Sequence, residues 1–220
     1  MTQEQLDESV AHLQNKGFDT PEIGIVLGTG LGQMVDEIEN PIEAHYNHIP
    51  YFPLATVEFH SGKLIYGSIE GKKVVVMQGR FHLYEGYDFS DVTYPIRVMR
   101  QLGITKLFIS NAAGAINLDF KKGDMMLIED HINLQGGSPL AFKNVAEFGD
   151  RFVDMSAPYD EKMCQAIINS HRRLCRYKNA ELVINSRMQA GSMISGMQRQ
   201  SFFTKTSSTP RLCVHIFSRI

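Results

Sequence analysis

The stretch that decides the fold class is IGIVLGTGLG, residues 23–32. Residues 23–27 form a short apolar run, as expected for a strand buried on both faces, and they lead directly into a loop with three glycines. A strand followed by a glycine loop and a helix is typical of open α/β sheets. We therefore expect a helix after this loop, through Glu39, and a ligand close to the glycines.

The same alternation of strand and helix patterns continues as far as residue 169. Leu6, Val10 and Leu13 recur at helical spacing, which predicts a helix over residues 2–16 that ends at Gly17. Further helices are predicted over 90–102 and 157–169, and strands over 63–69, 73–78, 106–110 and 125–129. This order predicts an α/β fold with a mostly parallel or mixed sheet covered on both faces.

Composition excludes several classes of protein. The chain has 220 residues, 43% of them apolar, and a net charge of −2, so no overall basic field points to nucleic acid or a membrane surface. No apolar run approaches the ~18 residues of a membrane span, and the polar N-terminus is not a signal peptide. Cys164, Cys175 and Cys213 show no metal-binding or disulfide spacing. We expect a cytoplasmic protein without a metal.

Charge reverses sharply near residue 170. Residues 1–169 hold 13 basic and 23 acidic side chains, whereas residues 170–220 hold nine basic side chains and one acid, Glu181. We therefore divide the chain into an α/β domain, 1–169, and a basic tail, 170–220. The tail is either an interaction segment for RNA or DNA, a poorly packed terminus, or sequence that follows a frameshift. No recognition motif accompanies the charge, which favours the poorly packed terminus.

The glycine loop at residues 28–32 is the first candidate site. Glycines let the backbone approach an anion, the following helix N-terminus points its amides there, and Thr29 adds a hydroxyl. The spacing G-x-G-x-G is neither a dinucleotide fingerprint nor a Walker A loop. A tight turn with no ligand remains equally compatible with this loop.

Residues 78–86, QGRFHLYEG, are the second candidate. In an extended strand, Arg80, His82 and Tyr84 would point to one face, where guanidinium, imidazole and phenol groups suit a phosphorylated or sugar-bearing ligand. The alternative is a surface pair between Arg80 and Glu85 beside a packed histidine. Three convergent polar groups at a strand end favour a binding site.

Three weaker candidates occur elsewhere in the sequence. His60 stands alone before Ser61-Gly62, and residues 111–114, NAAG, could offer a backbone amide at a strand end or form only a tight turn. Asp130 and His131 have no third ligand at a suitable spacing, so we interpret them as structural.

Together these segments resemble a known family. The motifs occur in the following order: GTGLG at 28–32, HSG at 60–62, QGRFHLYEG at 78–86, NAAG at 111–114, GDMMLI at 123–128, DHINL at 130–134 and FGDRF at 148–152. This series resembles the trimeric purine nucleoside phosphorylases that act on inosine and guanosine, over roughly residues 20–168. GRFH-x-YEG is its most specific part.

The resemblance implies a three-layer α/β sandwich around a mixed, partly parallel sheet. It also implies a homotrimer that transfers the sugar of a purine nucleoside to phosphate, without a metal or organic cofactor. Carried over by position, the phosphate ligands are Thr29, His60, Arg80, His82 and the amide of Ala112. His82 is also the expected catalytic residue, Tyr84 lines the ribose, and Phe148 covers the ribose site of a neighbouring subunit.

Residues 170–220 depart from the family pattern. The family continues with a Gly-Pro-x-x-Glu-Thr loop, a Gly-Met-Ser-Thr segment and a purine-binding Asn, and none of these occurs in the tail. Phe59 also stands where relatives usually have Gly. We therefore expect the C-terminal part of the family fold to be missing or replaced, and the chain to be either a purine nucleoside phosphorylase or an impaired version of one. The alternative is a non-catalytic phosphate- or nucleoside-binding module with a basic tail, and phosphate-dependent release of hypoxanthine from inosine distinguishes the two.

Overall fold

A computed structural model describes residues 1–28, 30–53, 62–113, 125–128, 130, 137–141, 145–174, 182–185 and 211–217. The helices are α1 (Gln3–Asn15), α2 (Phe89–Leu102) and α3 (Glu161–Leu174). The strands are β1 (Ile23–Val26), β2 (Glu39–His45), β3 (Lys63–Ile69), β4 (Lys72–Gln78), β5 (Lys106–Ala113), β6 (Met125–Ile128), β7 (Leu182–Asn185) and β8 (Arg211–Phe217).

The eight strands form one mixed sheet in the order β2-β3-β4-β1-β5-β8-β6-β7. Strands β4, β1 and β5 are parallel neighbours, with Ile23 in register with Val74 on one side and Lys106 on the other. Strand β3 is antiparallel to β4, and β8 is antiparallel to β5 but parallel to β6. The carboxyl ends of β4, β1 and β5 therefore meet at one edge of the sheet.

Both faces of the sheet are covered, which makes the fold three-layered. On one face, α1 and α2 pack against Val26, Val75 and Met77. On the other face, alternate residues of the same strands, such as Ile25 and Val76, pack against the segment that follows β1. Side chains of α3 join that second face through Phe108 of β5. The predicted fold class, an α/β sandwich around a mixed sheet, is confirmed.

The predicted helix after the glycine loop is wrong. Residues Gly32–Glu37 form a short 3-10 helix, and the chain then enters β2 instead of continuing as a helix through Glu39. Asn40 precedes Pro41 and has a φ of 50°, and a residue before proline is disfavoured in the right-handed helical region. A helix therefore cannot continue across residue 40, and the polar sequence from Glu39 forms an edge strand paired with β3.

Helix α3 begins later than predicted and extends past residue 169. Its start is fixed by Asp160, whose Oδ1 accepts a hydrogen bond of 2.7 Å from the Met163 amide. An aspartate in this position caps the first turn of a helix, which explains why residues 157–160 remain outside it.

The tail contributes two strands that the sequence analysis did not predict. Strand β8 inserts between β5 and β6, and its Arg211 lies in register with Ala113. This pairing explains why β5 continues to Ala113, three residues beyond its predicted end. The functional boundary at residue 169 stays a prediction. No helix in the described part of the chain has the length and apolar character needed to cross a membrane.

Candidate active site

The candidate site lies where three parallel strands end side by side. Gly28 follows β1, Arg80 and His82 follow β4, and Ala112 belongs to the last residues of β5. Because β1 lies between β4 and β5, these residues gather at one edge of the sheet. This edge is where open α/β sheets bind their ligands.

Close approach of backbones fixes the end of β1 against β5. The Gly28 amide donates a 2.8 Å hydrogen bond to Ser110 Oγ, which in turn donates to the Val26 carbonyl oxygen at 3.2 Å. A Cβ at Gly28 would overlap the Ser110 carbonyl oxygen. Glycine is therefore required here by space, independently of any ligand.

Arg80 reaches across β1 to the end of β5. Its Nη1 donates a 2.9 Å hydrogen bond to the Ser110 carbonyl oxygen, and its Nε donates to His82 Nε2 at 3.2 Å. Burial lowers the pKa of the Arg80 guanidinium, which nevertheless stays charged because an arginine pKa lies so far above neutrality. A mostly buried cation at converging strand ends is suited to binding an anion.

The hydrogen bond from Arg80 selects one tautomer of a neutral His82. Since Nε2 accepts that bond, the imidazole proton sits on Nδ1, which lies 3.1 Å from Glu85 Oε2. Burial, and then the Arg80 charge, lower the pKa of His82, while Glu85 opposes them. The same Glu85 oxygen accepts a 3.0 Å hydrogen bond from the His82 backbone amide, which keeps the carboxylate beside the ring.

Tyr84 completes the cluster at its solvent-facing side. Its ring stacks on the His82 ring with centroids 4.8 Å apart, and 48% of the residue is exposed. The chain does not reach this arrangement as an extended strand, since Leu83–Glu85 form a 3-10 turn. The predicted extended geometry is therefore wrong, but Arg80, His82 and Tyr84 are brought together.

The structure describes two of the other four predicted site residues, Ala112 and Phe148. Ala112 lies beside Ser110 in β5 and is in register with Leu212 of β8. Phe148 is half-buried within its own chain, where its ring centroid lies 5.2 Å from the Arg97 guanidinium carbon. Thr29 and His60 lie outside the described residues. The roles of all four stay predictions.

Two residues of the cluster were missed as site residues. Ser110 is a buried polar residue in an apolar strand, which is a signal that sequence alone provides. Glu85 lies inside the quoted motif, where the sequence analysis considers it only in the disfavoured alternative of a surface pair with Arg80, whereas in the structure it contacts His82. Among the residues that the structure describes, no group of three side chains could hold a metal ion.

Comparison with known proteins identifies the family. A model of the phosphorylase superfamily matches residues 22–201, which extends past the residue at which the motif resemblance ended. The chain belongs to the phosphorylase superfamily. The predicted relationship to the purine nucleoside phosphorylases is confirmed by relatives of that name.

Within the phosphorylase superfamily, this chain is similar to bacterial and animal enzymes. Purine nucleoside phosphorylase 1 of Bacillus subtilis is 48% identical over 160 residues, which are 73% of this chain and 59% of the relative. The rat purine nucleoside phosphorylase is 42% identical over 176 residues, 79% of this chain and 61% of the relative. The chain thus spans about three fifths of the length of these curated relatives.

Solved members of the superfamily share the architecture. A purine nucleoside phosphorylase isoform from Schistosoma mansoni, determined with cytosine and ribose 1-phosphate, has a TM-score of 0.78 and 32% identity, covering 97% of this chain and 82% of its own. Another structure, of the schistosome enzyme with hypoxanthine, has a TM-score of 0.77 and 31% identity. The match covers 100% of this chain and 84% of the schistosome chain.

Proposed function

We propose that this chain catalyses phosphorolysis of purine (2′-deoxy)ribonucleosides such as inosine and guanosine. Phosphate replaces the purine at C1′ of the sugar, so the products are the free purine and (deoxy)ribose 1-phosphate. The observation that carries this proposal is the buried Arg80 guanidinium at the joined ends of β4, β1 and β5. The relatives' names and the ligands of the solved schistosome structures support it.

The reaction assigns a task to each part of the site. Breaking the bond between C1′ and the purine leaves an oxocarbenium-like sugar. Phosphate must therefore be bound on the face of the sugar opposite the purine. Arg80, with the loop that includes Thr29 and the amide of Ala112, binds phosphate there, and His60 adds a further ligand. A fixed cation stabilises the developing charge better than water does, because it needs no reorientation.

Phosphate binding should change the protonation of the His82 imidazole. In the structure, the Nε2 of His82 accepts the Arg80 hydrogen bond, and burial lowers the pKa of the ring. A phosphate dianion beside the ring would favour the protonated imidazole, which then donates to a phosphate oxygen. Tyr84 is assigned the contact with the ribose, and its stacking on the His82 ring and its half-exposed position support this role.

The proposed enzyme has defined substrates, a cellular location and an oligomeric state. It takes a purine nucleoside and inorganic phosphate, needs no cofactor, and acts in the cytoplasm as a homotrimer in which Phe148 covers the ribose of a neighbour. Residues 1–169 carry the phosphate and ribose sites. Residues 170–220 form the basic tail, in which the sequence shows no counterpart of the family's purine ligands.

A phosphate-dependence assay tests the function. Purified chain is incubated with inosine, with and without phosphate, and hypoxanthine and ribose 1-phosphate are quantified. The expected result is equimolar release of both products that requires phosphate and is lost in Arg80→Ala. Arg100→Ala, which removes an exposed guanidinium of α2, is the matched control. Phosphate binding without any product would instead support the non-catalytic module.

A further inference from the structure

Tyr46 lies behind the candidate site and makes contacts that no motif indicated. It follows β2, begins the 3-10 helix Tyr46–His48 and is 3% exposed. Its amide donates a 3.0 Å hydrogen bond to the Gly62 carbonyl oxygen, and its hydroxyl donates a 2.7 Å bond to the Gly79 carbonyl oxygen. One side chain and its own backbone thus join the start of β3 to the end of β4.

The ring of Tyr46 is confined on several sides. It packs against Phe81 and Phe52, with ring centroids 5.3 Å and 5.5 Å away. A Cβ at Gly62 would overlap the Tyr46 ring. Because the ring is so enclosed, its hydroxyl is held at the end of β4, where the Gly79 carbonyl oxygen at 2.7 Å is the nearer acceptor and the Gln78 carbonyl oxygen lies 3.3 Å away.

Gly79 is the residue at which the chain turns out of β4. Its φ is 88°, a conformation that favours glycine, and Arg80 follows immediately. The carbonyl that Tyr46 holds belongs to the peptide bond between Gly79 and Arg80. The direction of that peptide bond sets where the Arg80 side chain starts.

We propose that Tyr46 is a positioning residue for the phosphate site, acting through the Gly79 carbonyl on Arg80 and, through Arg80, on His82. This inference rests on the proposed function for its catalytic meaning. Burial raises the pKa of the Tyr46 phenol well above its usual value, so the hydroxyl remains a donor at all working pH values.

Tyr66 provides a matched comparison within the same core. It is 9% exposed, and its hydroxyl also donates a 2.7 Å hydrogen bond to a backbone carbonyl, that of Asp19. Asp19 lies before the amino end of β1, at the edge of the sheet opposite the candidate site. Tyr66→Phe therefore removes an equivalent hydrogen bond without touching the turn at Gly79.

The first test measures phosphate affinity by calorimetry in wild type, Tyr46→Phe and Tyr66→Phe. We expect phosphate to bind about three- to tenfold more weakly to Tyr46→Phe, the size of effect that one hydrogen bond supplies, and equally well to Tyr66→Phe and wild type. Both variants should lose similar thermal stability. If phosphate binds and the two variants have equal affinity, Tyr46 is merely structural and the proposal is overturned.

A second test needs no phosphate and so separates this inference from the proposed function. The His82 imidazole resonances, assigned by comparison with His82→Asn, are titrated by NMR in all three proteins. Displacing Arg80 changes both its hydrogen bond to the His82 ring and the effect of its charge on the His82 pKa, so Tyr46→Phe should shift the His82 titration while Tyr66→Phe leaves it unchanged. An unchanged titration in Tyr46→Phe overturns the inference. A wild type that binds no phosphate refutes the proposed function, whatever the titration shows.

Discussion

The guanidinium of Arg80 is anchored on the carbonyl oxygen of Ser110, 2.9 Å away and two strands over. Strand β1 lies between their strands and is followed by Gly28, which Ser110 also contacts. Arg80, the residue proposed to bind phosphate, is therefore held by the same segment of β5 that contacts the end of β1. Changes at either position should be felt in both binding and stability.

Replacing Arg80 with alanine should weaken phosphate binding about a hundredfold. A charge-assisted contact to phosphate in a shielded site contributes ~2–3 kcal/mol, and the alanine variant loses it. Isothermal titration with inorganic phosphate measures the effect, with Arg100→Ala as the control and circular dichroism to verify the fold. Unchanged affinity in a folded Arg80→Ala would remove Arg80 from the site.

Stability should fall as pH is lowered through the ordinary histidine range. The pKa of His82 is lowered by burial and by Arg80, so below about pH 6.5 the unfolded chain binds a proton that the folded chain does not. Stability is therefore present above that pH and decreases below it. Urea unfolding at a series of pH values should show a smaller loss in His82→Gln than in wild type, and parallel curves would contradict this assignment.

Gly28→Ala should destabilise the protein by about 1–3 kcal/mol, because the new methyl group must displace the Ser110 carbonyl. Gly32→Ala is the matched control, since a Cβ there meets no atom within 4 Å and the residue has no positive φ. Chemical denaturation of both variants measures the difference. Equal stabilities would mean that the ends of β1 and β5 are farther apart than described.

The active form should be a trimer with Phe148 at the subunit boundary. Phe148 already packs against Arg97 in its own chain, so Phe148→Ala should reduce both this contact and coverage of the neighbouring ribose. Light scattering at micromolar concentration should give a mass near three chains, and Phe148→Ala should raise KM for inosine more than KM for phosphate. A monomer that turns over inosine would refute the shared site.

The chain should be a slow phosphorylase compared with the Bacillus subtilis relative. The sequence after residue 169 has no counterpart of the family's purine-binding Glu and Asn, so the purine leaves without a proton donor. Losing general-acid assistance typically costs about 10²–10⁴-fold in rate. Steady-state assay of both enzymes under the same conditions measures the ratio. Comparable rates would show that residues 170–220 supply a purine site of a different kind.

The sequence predicted the strands whose apolar residues and flanking turns lie close together in the chain. Strand β3 was predicted with its observed limits, and β4 to within one residue, because both are apolar and are joined by a turn at Glu70 and Gly71. Strand β2 was missed because it is a polar edge strand that contains Pro41. Strand β8 was missed because its pairing partner lies about a hundred residues earlier.

In the candidate site, too, the sequence predicted the residues that are close together in the chain but not the contacts between distant ones. Arg80, His82 and Tyr84 lie within five residues, so their proximity was visible in the sequence. The contact between Tyr46 and Gly79 depends on how β2, β3 and β4 pair, and no spacing of residue types encodes it. It is therefore easier to predict from sequence the side chains that contact a ligand than the side chains that orient them.

The insertion of β8 between β5 and β6 has a consequence for synthesis on the ribosome. Strands β1 to β5 are complete once Ala113 has emerged, but the outer edge of β5 must wait for residues 211–217. At ordinary translation speeds that interval is on the order of ten seconds. During this time the nascent sheet presents unpaired backbone groups along Leu107–Ala113, whose last residues lie at the candidate site, and such an exposed strand edge can pair with another chain.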